Sequence, residues 1–317
     1  MLRIPQLLIL DITHHCNLEC RICDIWQTAK NEKDLDIFYV KKVLSQAHGL
    51  GIEEIALSGG ESLLRKDIFD IFDYAQEIKI KNLGVLTNGI LIKGYFEKLK
   101  PYLMDNTISL VISLDSLKAE LHNHIRNSTF AWQKTIEALN LLSAFKKENL
   151  QVNFNIITII LNQNLEELPS LVSFTRDLGA NSLQFQALLP NNLRMEERKK
   201  SPFWVSDDRL AVLDSTIDKL IEAKNSDPVF IRNSLKNLLL VKKYYRADLT
   251  SFDVECLSAD KTVLMSNEGK FTTCFSSFGD AKKESLDNVL KGKEIVEARQ
   301  RVKKCSWPCL LPCFCDC

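Results

Sequence analysis

The sequence predicts an α/β protein: a partial (β/α)6 barrel, TIM-like in plan, with a small C-terminal α+β extension. Three observations lead there. Short β-rich runs alternate with longer amphipathic stretches from Leu7 to about Leu189, and the composition shifts after Pro190. The cysteines form two groups, Cys16, Cys20 and Cys23 near the start and seven between Cys256 and Cys317. Two metal-binding regions separated by a cysteine-free scaffold would produce that distribution. The expected divisions are a barrel over 1–189, a helical connector over 190–255 and an extension over 256–317.

In chain order, strands are expected at 7–12, 54–58, 83–87, 107–114, 152–160 and 182–188, with helices at 36–48, 67–79, 93–103, 130–147 and 165–178 between them. Ile68, Phe69, Ile71, Phe72, Ala75 and Ile78 show the three- and four-residue spacing of a core-facing helix. Such units make a parallel sheet with right-handed crossovers. Its chemistry belongs at the C-terminal strand ends. Beyond the barrel, the charge run 194–200 reads as a solvated face, and helices are expected at 206–224 and 233–246. The connector is placed where a substrate lid could be built, and Trp204, Tyr244 and Tyr245 are expected as packing residues. A hairpin over 261–265 and 270–273, with Gly269 at its turn, and a helix over 285–302 complete the chain.

Charge and hydropathy exclude several classes. Among 317 residues, Lys+Arg and Asp+Glu both number 41, so no global field favours nucleic acid or an anionic membrane. No apolar run approaches a membrane span. The run Leu7 to Leu10 meets Asp11 at once and makes a poor signal peptide. A cytoplasmic location is expected, in a reducing, low-oxygen setting that keeps the thiols free.

The first cysteines have the spacing C-x3-C-x2-C directly after the first strand. A loop there can turn three thiolates toward one point, which suits an iron–sulfur cluster. Three ligands on a four-iron cube leave one iron open to another molecule. A zinc site or scattered core thiols is the alternative. The next strands end in Gly59-Gly60-Glu61, Thr87-Asn88-Gly89 and Ser113-Leu114-Asp115. Paired glycines let backbone approach a ligand closely, while plain turns and a helix cap are the ordinary readings. His122 and Arg126 share a helix face. Asn153, Asn155 and Thr158 alternate with apolar residues and could reach the barrel interior, as could Gln184 and Gln186.

Together these stretches resemble the signature of the radical S-adenosylmethionine (SAM) enzymes. The resemblance implies a [4Fe–4S] cluster on Cys16, Cys20 and Cys23, with SAM chelating the open iron through its amino and carboxylate groups. An electron from the cluster then cleaves SAM to a 5′-deoxyadenosyl radical, which abstracts hydrogen from a substrate C–H bond. It implies SAM contacts at Gly59, Gly60, Glu61, Thr87, Asn88, Ser113 and Asp115, and a bidentate grip of the SAM carboxylate by Arg126, while Asn155, from its alternate position on the fifth strand, could read adenine or substrate. The chain departs from the family pattern at Ile22, usually aromatic, and at Ser62, usually proline.

Toward the C-terminus, Cys256 and Cys274 read C-x12-G-x4-C, and a helix returns the chain to Cys305, Cys309, Cys313, Cys315 and Cys317. This order resembles the SPASM and twitch extensions of radical SAM enzymes, which bind auxiliary iron–sulfur clusters. A zinc ribbon is the alternative. Seven thiols allow one complete [4Fe–4S] cluster with three to spare, or two clusters with one open iron. The final spacing departs from the SPASM pattern, so one auxiliary cluster is expected, on Cys256, Cys274 and two of Cys305, Cys309 and Cys313. In the related enzymes such a cluster accepts the electron left after substrate oxidation or helps hold the substrate. A spare thiol could donate a hydrogen atom.

The resemblance points first to a peptide-modifying maturase. Against it, the first strand begins within ten residues of Met1, leaving no N-terminal domain for a leader peptide. A sugar or aminocyclitol dehydrogenase or epimerase follows closely. The molybdenum-cofactor cyclase ranks lower, because the chain lacks its twin-glycine ending. A non-catalytic metal-binding or redox module is the alternative of another class. The expected partners are a peptide or small-molecule substrate and a reductant such as flavodoxin or ferredoxin, with no nucleic acid and no membrane.

Overall fold

The computed structural model describes residues 3–28, 33–189, 195–274, 276–305 and 309–315, without the side chains of residues 195 and 196. Arg194, which opens the charge run, and Cys317 lie outside the described residues. The first half comprises β1 (Leu7–Thr13), α1 (Ile25–Thr28), α2 (Ile37–Gly49), β2 (Glu54–Gly59), α3 (Ile68–Glu77), β3 (Leu83–Thr87), α4 (Ile92–Met104), β4 (Ile108–Ser113), α5 (Ala119–Arg126) and α6 (Ala131–Glu148). The second comprises β5 (Phe154–Ile160), α7 (Leu168–Asp177), β6 (Ser182–Ala187), α8 (Met195–Arg198), α9 (Leu210–Ser226), α10 (Leu235–Tyr245), β7 (Thr262–Met265), β8 (Lys270–Thr272), β9 (Ser277–Asp280), α11 (Leu286–Lys291) and α12 (Lys293–Val302).

All six expected barrel strands form, and they lie in chain order as parallel neighbours from β1 to β6. Leu8, Leu10 and Ile12 on β1, with Ile55 and Leu57 on β2, turn into the core shared with the helices. That core includes Val40, Val43 and Leu44 of α2 and Ile68, Ile71 and Phe72 of α3. The alternate residues, among them Asp11, Ser58, Ser113, Gln184 and Gln186, stay half-buried on the opposite, concave face. The sheet does not close. Instead, β7 joins β1 in parallel, from Leu7 opposite Thr262 to Leu10 opposite Met265, and β8 and β9 follow antiparallel. The C-terminal hairpin therefore extends the barrel's own sheet.

Three expected elements differ in detail. The last helix divides into α11 and α12 at Gly292, whose ψ of 161° is extended and interrupts the hydrogen-bond ladder. The stretch expected at 165–178 opens with a 3-10 turn, and α7 starts only at Leu168 with proline in its first turn. The connector is packed rather than poised as a lid. Trp204, Tyr244 and Tyr245 stack with ring centroids 4.8 to 5.3 Å apart, the packing role expected of them. Tyr244 donates to Leu188 O at 2.7 Å, and Tyr245 donates to Ile160 O at 2.5 Å. The aromatic pair thus pins α10 to the C-terminal ends of β5 and β6. Among the described residues, no helix is long and apolar enough to cross a membrane.

Candidate active site

The ends of β1 and β2 meet at the paired glycines. Gly60 N donates to Thr13 O at 2.7 Å and Glu61 N donates to His15 O at 2.9 Å. A Cβ at Gly59, whose φ is +118°, would lie 2.1 Å from Thr13 O, and one at Gly60 would lie 2.3 Å from His15 O. Close backbone approach is therefore what these glycines serve, and the backbone they approach is the stretch leading into the first cysteine loop. With both amides engaged, this turn has carbonyl oxygens to offer an incoming ammonium.

Glu61 is fully buried, and its carboxylate accepts from Thr87 Oγ1 at 2.8 Å, Asn88 N at 2.7 Å and Leu63 N at 3.1 Å. Burial raises its pKa against the pull of those donors. Asn88 in turn donates from Nδ2 to Asn17 Oδ1 at 2.7 Å. Glu61, Thr87 and Asn88 thereby clamp the ends of β2 and β3 to the cysteine loop. They position the site with side chains that are already bonded to one another.

The cysteine loop is also fastened to α5. Arg21 donates to Ile125 O from its amide at 2.9 Å and to His124 O from Nε at 3.0 Å. Cys20 is buried beside Leu18 and Ala131, with Cys16, Ile22 and Cys23 packed around them. Burial, with smaller contributions from Glu61, Cys20 and Cys23, pushes the Cys16 thiol up to about 11, and burial also raises Cys23. Such thiols give up their protons readily only to a metal. Among the described residues, no three His, Cys, Asp or Glu side chains converge tightly enough for a single metal ion. A four-iron cube takes its thiolates at separate corners, so three sulfurs around one apolar nest fit it by donor chemistry.

Arg126 stands at the edge of this nest with its side chain 11% exposed. Its Nη1 lies 3.9 Å from Cys20 Sγ, its Nη2 lies 2.6 Å from Asp115 Oδ2, and its Nε has no hydrogen-bond partner. Burial opposes the guanidinium charge, but Asp115 and Cys20 outweigh it and raise the pKa. Asp115 is held in turn, since its Oδ1 accepts from Ile159 N at 3.1 Å and its carbonyl accepts from Asn164 Nδ2 at 2.7 Å. His122 Nδ1 accepts from Asp115 N at 3.3 Å, and burial followed by Arg126 lowers the ring's pKa to about 4, so it is neutral. The bidentate grip expected of Arg126 on a further carboxylate meets a fork already divided between Asp115 and Cys20. Nε remains for it.

Ser113 ends β4 half-buried on the concave face. Asn155 does not join the group. Its Nδ2 donates to Ser109 Oγ at 3.0 Å and Asn153 Oδ1 at 3.1 Å, and its Oδ1 accepts from Ser182 Oγ at 2.7 Å. The amide expected to read adenine is engaged within the sheet. Thr158 likewise donates into the sheet, to Leu114 O at 2.7 Å. One residue the motifs did not mark is Asp11, opposite Ser58 in the sheet and on the concave face. Burial pushes it up to about 6, against the influence of His14 and Ser58. Its sequence signal is a lone acid at an alternate position in an apolar strand.

The second thiol group converges from three segments. Leu257 N donates to Phe314 O at 2.8 Å, and the backbones of Cys256 and Cys315, neither of them in a disulfide, pair antiparallel, which brings residues 314–315 back to the base of the hairpin. Cys256 is pushed up to about 12 by burial and then by Cys309, Cys274 and Cys305. Burial also raises Cys274 with help from Cys305, and raises Cys309 with help from Cys274 and Cys305. Cys256, Cys274, Cys305 and Cys309 thus lie within electrostatic reach of one another. Cys313 is raised to about 12 by burial and then by Cys309 and Cys256. Cys315 stands apart, donating to Leu311 O at 3.0 Å beside Asn237.

The profile described as the Radical SAM superfamily matches residues 10–175, which hold the whole first site. The chain belongs to that superfamily. As a radical SAM enzyme it carries a [4Fe–4S] cluster and binds SAM. It is 30% identical over 237 residues to a probable GTP 3',8-cyclase of Methanocaldococcus jannaschii, covering 74% of this chain and 71% of that protein. It is 28% identical over 176 residues to the antilisterial bacteriocin subtilosin biosynthesis protein AlbA of Bacillus subtilis, covering 55% of this chain and 38% of that one. In structure it resembles Streptococcus suis SuiB bound to its precursor peptide SuiA, with a TM-score of 0.70 at 18% identity over 94% of this chain and 67% of SuiB. That likeness shows a shared radical SAM fold that includes the C-terminal hairpin.

Proposed function

We propose that this radical SAM enzyme modifies a peptide, with Cys16, Cys20 and Cys23 ligating the SAM-binding [4Fe–4S] cluster. In the same reading Cys256, Cys274, Cys305 and Cys309 ligate one auxiliary [4Fe–4S] cluster. When bound, the cluster and SAM would supply the radical chemistry that removes a hydrogen atom from a substrate C–H bond. The chain's own part is placement. The carbonyls around Gly59 and Gly60 would accept from the SAM ammonium, and Arg126 Nε would donate to its carboxylate. Glu61, Asn88 and Asp115 keep those groups in position. Ser113, Gln184 and Gln186 offer polar contacts along the concave face, and a flavodoxin- or ferredoxin-type reductant would supply the electron.

The observation that supports the peptide reading is that half-buried, polar concave face on β4 and β6, in one sheet with β1 and β8, whose ends lead to the two thiol groups. SuiB, of similar fold, has been seen with a peptide. A nucleotide reading is favoured by the sequence relatives named GTP 3',8-cyclase. One experiment separates them. Anaerobically reconstituted protein is given SAM and a strong reductant with either a perdeuterated peptide digest or deuterated GTP. Deuterium appearing in 5′-deoxyadenosine from the digest alone supports the peptide reading, and deuterium from GTP alone replaces it with the cyclase reading. No 5′-deoxyadenosine from either, with zinc in place of iron, would leave a binding module.

A further inference from the structure

We infer that Arg126 sets the reduction potential of the first cluster by way of the Cys20 sulfur, and that Asp115 is the anchor that aims it. The three guanidinium nitrogens have separate surroundings: Nη1 faces Cys20 Sγ at 3.9 Å, Nη2 faces Asp115 at 2.6 Å, and Nε is unpartnered. A planar fork fixed at one end by a buried carboxylate cannot turn without losing that pair. Asp115 is itself held by Ile159 N and Asn164 Nδ2. The donor on Cys20 is therefore preset before SAM arrives.

Reduction adds negative charge to a cluster, and a donor on a ligating sulfur stabilises that charge, so the potential rises. In a buried site the effect is little screened. Neutral His122 beside Asp115 adds no second positive charge to the pair. One residue thus has two separable effects: Nη1 acts on the cluster whether or not SAM is present, and Nε acts on bound SAM.

This inference rests on Cys20 being a cluster ligand, so the test treats the two separately. Iron and sulfide are first counted in Cys20→Ala, where full retention of the SAM-responsive cluster would remove the ligand assignment itself. Reconstituted wild type, Arg126→Gln and Arg126→Lys are then titrated potentiometrically without SAM, following the EPR signal that changes when SAM is added. Arg126→Gln should lower the reduced-to-oxidised ratio at a fixed potential by about tenfold, which is about 59 mV for a one-electron couple. Arg126→Lys keeps the charge but not the fork and should shift the same way by less, and it serves if the glutamine variant does not assemble a cluster. Unchanged midpoints in SAM-free protein would overturn the inference. So would a shift seen only with SAM bound, which would leave Arg126 as a SAM contact.

Discussion

Replacing Gly60 by alanine puts a Cβ 2.3 Å from His15 O, 2.6 Å from His14 O and 2.8 Å from His14 C. These are backbone atoms and cannot rotate away. To restore even 3.0 Å, the loop entering the first cysteine motif must retreat by at least about 0.7 Å. That retreat strains the bonds from Gly60 N to Thr13 O and from Glu61 N to His15 O. Overpacking costs about 1–3 kcal/mol, and each weakened backbone bond adds about 1 kcal/mol. The expected loss is about 3–5 kcal/mol, with poorer cluster assembly because Cys16 follows His15 directly. Gly94→Ala is the control, since nothing lies within 4 Å of its Cβ and Gly94 is on the exposed face of α4. It should be stabilising by about 0.5–1 kcal/mol. Anaerobic urea unfolding and iron content measure both. A Gly60→Ala protein within about 0.5 kcal/mol of wild type and with full iron would refute the close-approach account.

The other predictions concern charge and thiols. Cys305→Ser and Cys309→Ser should each reduce bound iron by about four per chain, whereas Cys313→Ser should retain it; equal loss in all three would dissolve the quartet. Asp115→Ala strands the buried Arg126 charge and should lower stability by about 3–5 kcal/mol, read from urea midpoints, and a neutral result would show that the pair is not buried as described. Asp11, raised to about 6, favours the folded state below its unfolded pKa, and that benefit fades as pH rises through about 6. His122, lowered to about 4, acts oppositely, with stability lost as pH falls from its unfolded pKa toward 4. In chelator-treated wild type the two slopes oppose each other. Asp11→Asn should therefore expose a stability that rises between about pH 4 and pH 6.5, and a flat profile would contradict the burial of one or the other.

The barrel strands, most helices and the three-thiol loop are legible in the sequence. Those features are local: alternation in β1, the three- and four-residue stripe of α3, and three thiols within one loop. The two breaks it missed are also local, but Gly292 is a single residue whose extended ψ only the packing of α11 and α12 selects. The use of each polar group is not legible in the sequence, because it depends on contacts between distant parts of the chain. Gly59 and Gly60 looked like a ligand cradle, yet their Cβ space is filled by residues 13–15, more than forty positions earlier. Arg126 looked like a SAM clamp, yet its fork is divided between Asp115 and Cys20. Asn155 looked like a reader of adenine, yet strands β4 and β6 occupy its amide. Spacing along a chain states which donors and acceptors exist. Burial and register then decide which of them find protein partners and which remain for a ligand.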